Sequence, residues 1–105
     1  MNRGDIYLCD FGDPIGHEPA WQRPAVIVSA SELGRFGLPI VLPITRTKRD
    51  YVTHVEIEGT LPTTSYVQCE QIRAVAVARL LRRVGTLDPI SQLRIDAVLR
   101  RILEI

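Results

Sequence analysis

The segment 16–24 gathers side chains that could do chemistry. It contains an imidazole at His17, a carboxylate at Glu18, an aromatic ring at Trp21 and a guanidinium at Arg23. Imidazole and carboxylate groups can transfer protons, and a guanidinium can stabilise developing negative charge. The segment is predicted to be a loop between two strands, and loops held by a rigid sheet often carry function. We therefore expect an active site, if the chain has one, at this loop.

Short runs of apolar and β-forming residues predict the strands that position this loop. They cover Asp5–Phe11, Ala25–Ala30, Ile40–Ile44, His54–Ile57, Tyr66–Ala74 and Arg83–Leu87. Prolines bracket the third run, which suggests an edge or bulged strand. The fourth run alternates, so that Val55 and Ile57 are expected to face inward and His54, Glu56 and Glu58 outward.

A single long helix is predicted at the end of the chain. Asp88 is a plausible N-cap with Pro89 at the first helical position, and one helical turn is expected earlier, at Ser31–Gly34. The expected apolar face of the long helix comprises Ile90, Leu93, Ala97 and residues 99–103. Many short strands followed by one helix predict a mainly β (α+β) fold, a small, strongly bent antiparallel barrel with the helix packed on it. The 105 residues are expected to form one domain, 1–105.

The net charge of +1 hides an asymmetry along the chain. Residues 1–72 carry six basic and nine acidic side chains, whereas residues 73–105 carry seven arginines and three acidic residues. Arginine is well suited to phosphate and carboxylate groups. The basic segment 73–105 therefore forms either a solvated helix face or a surface for a polyanion or an acidic peptide.

Cysteine and histidine are too few and too far apart to indicate a metal site. Cys9 and Cys69 fall in predicted strands and are expected to be core thiols. No cofactor motif is present, so none is predicted. No apolar run reaches transmembrane length and no signal-peptide pattern is visible, so we expect a cytoplasmic protein that does not bind membranes.

Several short segments follow one another along the chain in a definite order. They are Arg3-Gly4-Asp5-Ile6-Tyr7, Gly16-His17-Glu18, Arg23-Pro24-Ala25-Val26-Ile27-Val28, Leu42-Pro43-Ile44-Thr45, Val67-Gln68-Cys69-Glu70-Gln71-Ile72-Arg73, and then Arg79-Leu80-Leu81, Val84-Gly85 and the terminal helix. In this order and spacing they resemble the MazF/PemK/Kid toxins of toxin–antitoxin modules. The resemblance implies an SH3-like barrel that forms a homodimer. It also implies a metal-independent endoribonuclease that cuts single-stranded RNA at short sequences, leaving a cyclic phosphate and a 5′-hydroxyl. The implied partner is an antitoxin with an acidic, flexible C-terminal segment.

The resemblance also assigns roles to residues. By similarity to the MazF branch, Arg23 and Thr45 are catalytic, as phosphate clamp and hydroxyl donor. By similarity to the Kid branch, His17 and Glu70 form an acid–base pair, but Gln68 stands where that branch has a second arginine. The residues expected to contact RNA are Glu18, Trp21, Arg46, Lys48, Arg49, Gln68, Gln71 and Arg73.

Other interpretations of these residues remain open. Arg23 could tie the loop to Glu18, Glu70 could pair with Arg73 or Arg23, and the cluster 46–49 could be a solvated loop. Trp21 is either a platform for a stacked base or an anchor at the dimer contact. The alternatives for the whole chain are a gyrase inhibitor similar to CcdB and a non-catalytic barrel that binds protein or RNA. The chain ends without the aromatic tail that the gyrase inhibitor uses.

Overall fold

The computed structural model describes residues 1–13, 15–16 and 21–105. It contains seven strands, two α-helices and two 3₁₀ turns, at Cys69–Gln71 and Val77–Arg79. The strands and helices are β1 (Asp5–Asp10), β2 (Gln22–Ile27), α1 (Ser31–Arg35), β3 (Ile40–Thr45), β4 (His54–Ile57), β5 (Ser65–Gln68), β6 (Arg73–Ala74), β7 (Leu80–Thr86) and α2 (Pro89–Leu103).

All strand pairs are antiparallel, in the order β4-β5-β3-β2-β1-β7, and β6 pairs with β3. Within the described residues no pairing joins β4 to β7, so the sheet is bent but not closed by hydrogen bonds. Seven antiparallel strands followed by a terminal helix confirm the predicted α+β class. Register shifts in the β1–β7 pair, next to Ile6 and Leu8, add local bends to the sheet.

The two faces of the sheet cover separate apolar clusters. The larger lies under α2 and includes Ile6, Val26, Leu42, Ile95 and Leu99. The smaller lies on the opposite face and includes Cys9, Ala25, Ile27, Val41 and Val75. Burying each large aliphatic side chain contributes roughly 1.5–3 kcal/mol, so these clusters hold the strands in register.

Helix α2 begins as predicted, and the prediction of its apolar face is right only in part. Asp88 caps it by accepting hydrogen bonds from the Ser91 backbone N–H at 3.1 Å and the Ser91 hydroxyl at 2.7 Å. Leu99 and Ile102 of the predicted face pack in the core. Ile90 and Leu93 are 66% and 64% exposed, because the side that meets the sheet runs through Ser91, Ile95 and Leu99.

Strand β3 is central, so the prediction of an edge strand was wrong. It pairs with β2 on one side and with both β5 and β6 on the other. On that second side the partner changes between Val41, which pairs with β6, and Ile44, which pairs with β5. Pro43 lies in this gap between the two partners, where its missing N–H removes no hydrogen bond to β5 or β6.

Other boundaries differ from the predictions in ways that affect the site. Strand β2 starts at Gln22, so Arg23 lies within a strand rather than in the loop before it. The predicted strand 66–74 is broken by the turn Cys69–Gln71. His54 was expected to face solvent, but its side chain is only 4% exposed. Among the described residues, neither α-helix has the length and apolar character needed to cross a membrane.

Candidate active site

Arg23 and Thr45 lie close to the ends of β2 and β3 and line the same cleft. The β2–β3 pairing ends at Ala25 and Pro43, two residues from Arg23 and Thr45 respectively. Because both residues border one cleft, a guanidinium and a hydroxyl can act on one phosphate group bound there.

A cleft of about 630 Å³ runs along these strand ends. Three arginines line it, Arg23, Arg46 and Arg82. The hydroxyl residues Thr45, Thr47, Thr63 and Ser65 also contribute, and none of the described lining residues is acidic. Cationic walls without carboxylates favour an anionic ligand over a cationic one.

Thr45 is held at the end of β3, with only 8% of its surface exposed. Its hydroxyl oxygen accepts a hydrogen bond from the Thr47 backbone N–H at 3.2 Å. A threonine hydroxyl accepts through its lone pairs and donates through its single proton. The contact with Thr47 thus orients the oxygen and leaves the proton to be donated to a ligand.

Glu70 belongs to a different group of side chains, on the turn after β5. One carboxylate oxygen accepts a hydrogen bond from the Thr53 hydroxyl at 2.8 Å, and the other lies 3.1 Å from Nε2 of His54. Tyr51 packs against the His54 ring, with ring centroids 5.0 Å apart. Glu70 is not among the residues that line the cleft. Its observed partners, Thr53 and His54, were not expected from the sequence.

Gln68 is the last residue of β5, two residues before Glu70. It pairs with His54 across the β4–β5 ladder and is 8% exposed. Its side-chain oxygen has no hydrogen-bond partner within the described part of the chain, and the same holds for Nδ1 of His54. Gln68 therefore places an uncharged amide where the Kid branch has a second arginine.

The other residues predicted to contact RNA lie at separate positions along the chain. Trp21 is 64% exposed, and Arg46, Lys48 and Arg49 form an exposed run directly after Thr45. Gln71 ends the 3₁₀ turn, and the Arg73 guanidinium lies 5.8 Å from the centre of the Phe11 ring. His17 and Glu18 lie outside the described residues.

Trp21 begins the approach to β2 in a left-handed backbone conformation, with φ of 57°. Its carbonyl accepts a hydrogen bond from the Phe11 N–H at 2.8 Å, and its N–H donates to Gly12 at 2.7 Å. A bulky residue with positive φ is uncommon and marks a strained position. These two hydrogen bonds fix the backbone at Trp21, next to the end of β1.

Three residues of this region were not predicted from the sequence, Arg82, Tyr66 and Glu56. Arg82 lies on β7 and lines the cleft. Tyr66 pairs with Thr45 on one side and with Glu56 on the other. Partial burial and the neighbouring Glu56 carboxylate raise the pKa of the Tyr66 phenol, so it stays protonated at neutral pH. Strand register was needed to find them, because their sequence positions show no common motif.

The described ranges contain no group of three or more His, Cys, Asp or Glu side chains that could hold a metal ion. The cationic groups of the cleft are those of its arginines.

Comparison with known proteins agrees with this geometry. The chain is 34% identical, over an alignment of 116 positions, to Endoribonuclease MazF9 of Mycobacterium tuberculosis, and the alignment covers 100% of this chain and 98% of that protein. It is 30% identical over 106 residues to Endoribonuclease EndoA of Bacillus subtilis, covering 95% and 91%.

Solved structures show the same fold. A crystal structure of MazF from Deinococcus radiodurans superposes with a TM-score of 0.89 at 20% identity, covering 100% of this chain and 97% of that one. A mycobacterial endoribonuclease in complex with its cognate antitoxin superposes with a TM-score of 0.84 at 25% identity, covering 100% and 96%.

A sequence model of one protein family matches residues 2–103. That family is described as the PemK-like, MazF-like toxins of type II toxin–antitoxin systems. With this match and with relatives at 30% identity or more over nearly the whole chain, the protein belongs to the PemK-like, MazF-like toxin family.

Proposed function

We propose that this protein is the toxin of a toxin–antitoxin module and a metal-independent, sequence-specific endoribonuclease that cleaves single-stranded RNA, inhibiting translation and growth. Relatives across the whole chain are named endoribonucleases, which supports the activity. The observation that carries the proposal is that Arg23 and Thr45 line one cleft, which has arginines and no described acidic residue.

The proposed reaction is an internal transesterification. The 2′-oxygen of a ribose attacks the adjacent phosphorus, and the bond from phosphorus to the 5′-oxygen of the next nucleotide breaks. The products are a 2′,3′-cyclic phosphate and a 5′-hydroxyl. Negative charge builds on the nonbridging oxygens in the transition state, where preorganised donors accelerate the reaction most. Arg23 is proposed to bind these oxygens through its planar fork, and Thr45 to donate its hydroxyl proton to one of them.

Two proton transfers complete the step. One group must take the 2′-hydroxyl proton, and another must give a proton to the leaving 5′-oxygen. Arg23 is a poor base because a guanidinium in a protein does not give up its proton. We assign the two transfers to His17 and Glu70. His17→Ala is expected to flatten the pH–rate profile between about pH 5 and 8, where imidazole changes charge, and an unchanged profile would contradict the assignment.

Contacts beyond the cleaved bond are proposed for the residues around the cleft. Arg46, Lys48 and Arg49 would bind flanking phosphates, so RNA affinity should fall with salt without a change in sequence preference. Trp21 would stack a splayed base. Glu18, Gln68, Gln71 and Arg73 would contact bases or the backbone.

The cellular setting follows from the family. We propose that the chain forms one toxin domain over residues 1–105, acts in the cytoplasm as a homodimer, and is inhibited by a cognate antitoxin. The solved mycobacterial relative in complex with its antitoxin supports such a partner. An acidic, flexible antitoxin segment would complement the arginines of the cleft.

The direct experiment uses purified protein, a mixed-sequence single-stranded RNA and excess EDTA, followed by mapping of the product ends. Discrete cuts with cyclic-phosphate and 5′-hydroxyl ends are expected. If folded, antitoxin-free protein leaves this pool and also ribosomal and transfer RNAs intact, the nuclease proposal fails and a binding module takes its place.

A further inference from the structure

Tyr66 and Glu56 continue a row of side chains that starts at Thr45. Tyr66 pairs with Thr45 across β3 and β5, and with Glu56 across β5 and β4. Opposite residues of successive antiparallel strands lie on the same face. The row therefore leads from the proposed phosphate-binding Thr45 to an aromatic ring and then to a carboxylate, within about two strand spacings, or roughly 10 Å.

The Tyr66 and Glu56 side chains are both half-buried and interact with each other. Lys48, from the cationic run after Thr45, is close enough to lower the phenol pKa, although partial burial and the Glu56 carboxylate outweigh it. The backbone of β4 is also fixed here, because Arg94 of α2 donates a hydrogen bond to the Glu56 carbonyl at 3.1 Å. Tyr66 and Glu56 therefore lie on the sheet beside the expected path of the RNA backbone.

The Glu56 carboxylate lies near a cationic group that attracts phosphate, and it would itself repel a bound polyanion. Within the protein it accepts a hydrogen bond from the Tyr66 hydroxyl. A carboxylate has further lone pairs, which can accept hydrogen bonds from donors of a ligand. The donors that an RNA strand offers, apart from its ribose hydroxyls, are the N–H groups of its bases, and in single strands their Watson–Crick edges are accessible.

We propose that Tyr66 and Glu56 form a subsite for a guanine base of the RNA, close to the cleaved bond. Tyr66 stacks on the base, and the Glu56 carboxylate accepts hydrogen bonds from the N1–H and N2–H groups of its Watson–Crick edge. This inference rests on the proposed ribonuclease function and names the base that the site selects.

Guanine fits a carboxylate better than the other bases do. Its edge presents two adjacent N–H donors, which match the two oxygens of one carboxylate. Adenine and cytosine each place a ring-nitrogen acceptor beside their amino donor, and this acceptor repels a carboxylate. Uracil has one N–H between two carbonyl oxygens. The match therefore distinguishes guanine from all three.

The test is to map cleavage sites of wild-type protein and of Glu56→Gln on a randomised single-stranded RNA. Wild-type protein is expected to require guanine at one position of its motif. A glutamine amide offers one donor and one acceptor, which match adenine. Glu56→Gln should therefore lower the preference for guanine over adenine at that position by about tenfold or more and leave the other positions unchanged.

Control variants separate recognition from a structural role. Glu58→Gln removes an exposed carboxylate two residues along the chain and is expected to leave the motif unchanged. Tyr66→Ala, which removes the stacking ring, should lose about tenfold in kcat/KM, and Tyr66→Phe, which keeps the ring, should recover part of that loss. A purely structural pair would lower Tm without changing the base preference.

The outcomes distinguish the two proposals. If wild-type protein cuts no RNA, the nuclease function fails. If it cuts but no motif position prefers guanine, or if Glu56→Gln keeps the same preference at every position, the ribonuclease stands and the guanine subsite is wrong.

Discussion

The paired ends of β2 and β3 and the turn after β5 hold the two halves of the proposed catalytic machinery, and they are built differently. Arg23 and Thr45 are fixed on strands β2 and β3 and line one cleft, and the Thr45 hydroxyl keeps its proton available. Glu70 is held by side chains, with one oxygen bonded to Thr53 and the other to His54.

This difference has a chemical consequence. Groups fixed by backbone register bind charge without having to give up other partners, which is the arrangement that favours transition-state stabilisation. Glu70 does not line the cleft that holds Arg23 and Thr45, so it acts less directly on a phosphate bound there. We therefore expect the Arg23–Thr45 pair to contribute more to the rate than Glu70.

Removing the guanidinium should have the largest effect. Arg23→Ala is expected to lower single-turnover cleavage by about 10³-fold, because the charge that stabilises the phosphorane is lost. Arg35→Ala removes an exposed arginine of α1, outside the cleft, and should cut at the wild-type rate. If Arg23→Ala cuts within threefold of wild type while remaining folded, the central role of Arg23 is wrong.

Removing the hydroxyl should have the next largest effect. Thr45→Val keeps the shape of the side chain and removes the donor, so cleavage should fall by about 10²-fold with little change in RNA binding. Thr45→Ser restores the hydroxyl and should recover most of the rate. Equal activity of the valine and serine variants would show that the hydroxyl takes no part.

A smaller loss is expected for the carboxylate after β5. Glu70→Gln still accepts a hydrogen bond from Thr53 but transfers no proton, and a loss of about tenfold is expected, below the usual range for general acid–base groups. The measurement is the pH–rate profile together with Tm. A loss larger than that of Arg23→Ala would reverse the ranking of the two regions.

The smallest difference between the two regions is expected in the labelling rates of their buried thiols. Cys9 lies opposite Arg23, and Cys69 precedes Glu70. Burial raises the pKa of Cys9 to about 11 and that of Cys69 to about 12, so almost no thiolate is present at pH 8. Both should label with a thiol reagent at least about 10²-fold more slowly than free cysteine, and faster as the pH approaches 11. Rapid labelling of Cys69 alone would mean that the second region opens in the native state.

The sequence predicts the type of each helix or strand better than it predicts which elements pair or pack with it. The cap at Asp88 and the alternation of Val55 and Ile57 are local signals, and the structure confirms both. The position of β3 depends on which strands pair with it, and the prolines suggested an edge because the gap between β5 and β6 is a tertiary feature. The buried face of α2 is set by packing, and periodicity alone did not separate Ile90 and Leu93 from Ile95.

The same limit applies to the site. Arg23 and Thr45 were identified by their resemblance to known toxins, and each is an ordinary residue in its own strand. That they line one cleft depends on how β2 and β3 pack together, which the sequence does not contain in any local form. Glu56 was expected to face outward, but its pairing with Tyr66, and the pairing of Tyr66 with Thr45, required the register of two further ladders.

The most direct test of the central claim is a double-mutant cycle on cleavage. Single-turnover rates are measured for wild type, Arg23→Ala, Thr45→Val and the double variant on one RNA substrate in EDTA. If both groups stabilise the same phosphate, the double variant should lose clearly less than the product of the two single losses, by about tenfold. Losses that multiply fully would mean that Arg23 and Thr45 act independently, and the paired site at the ends of β2 and β3 would be wrong.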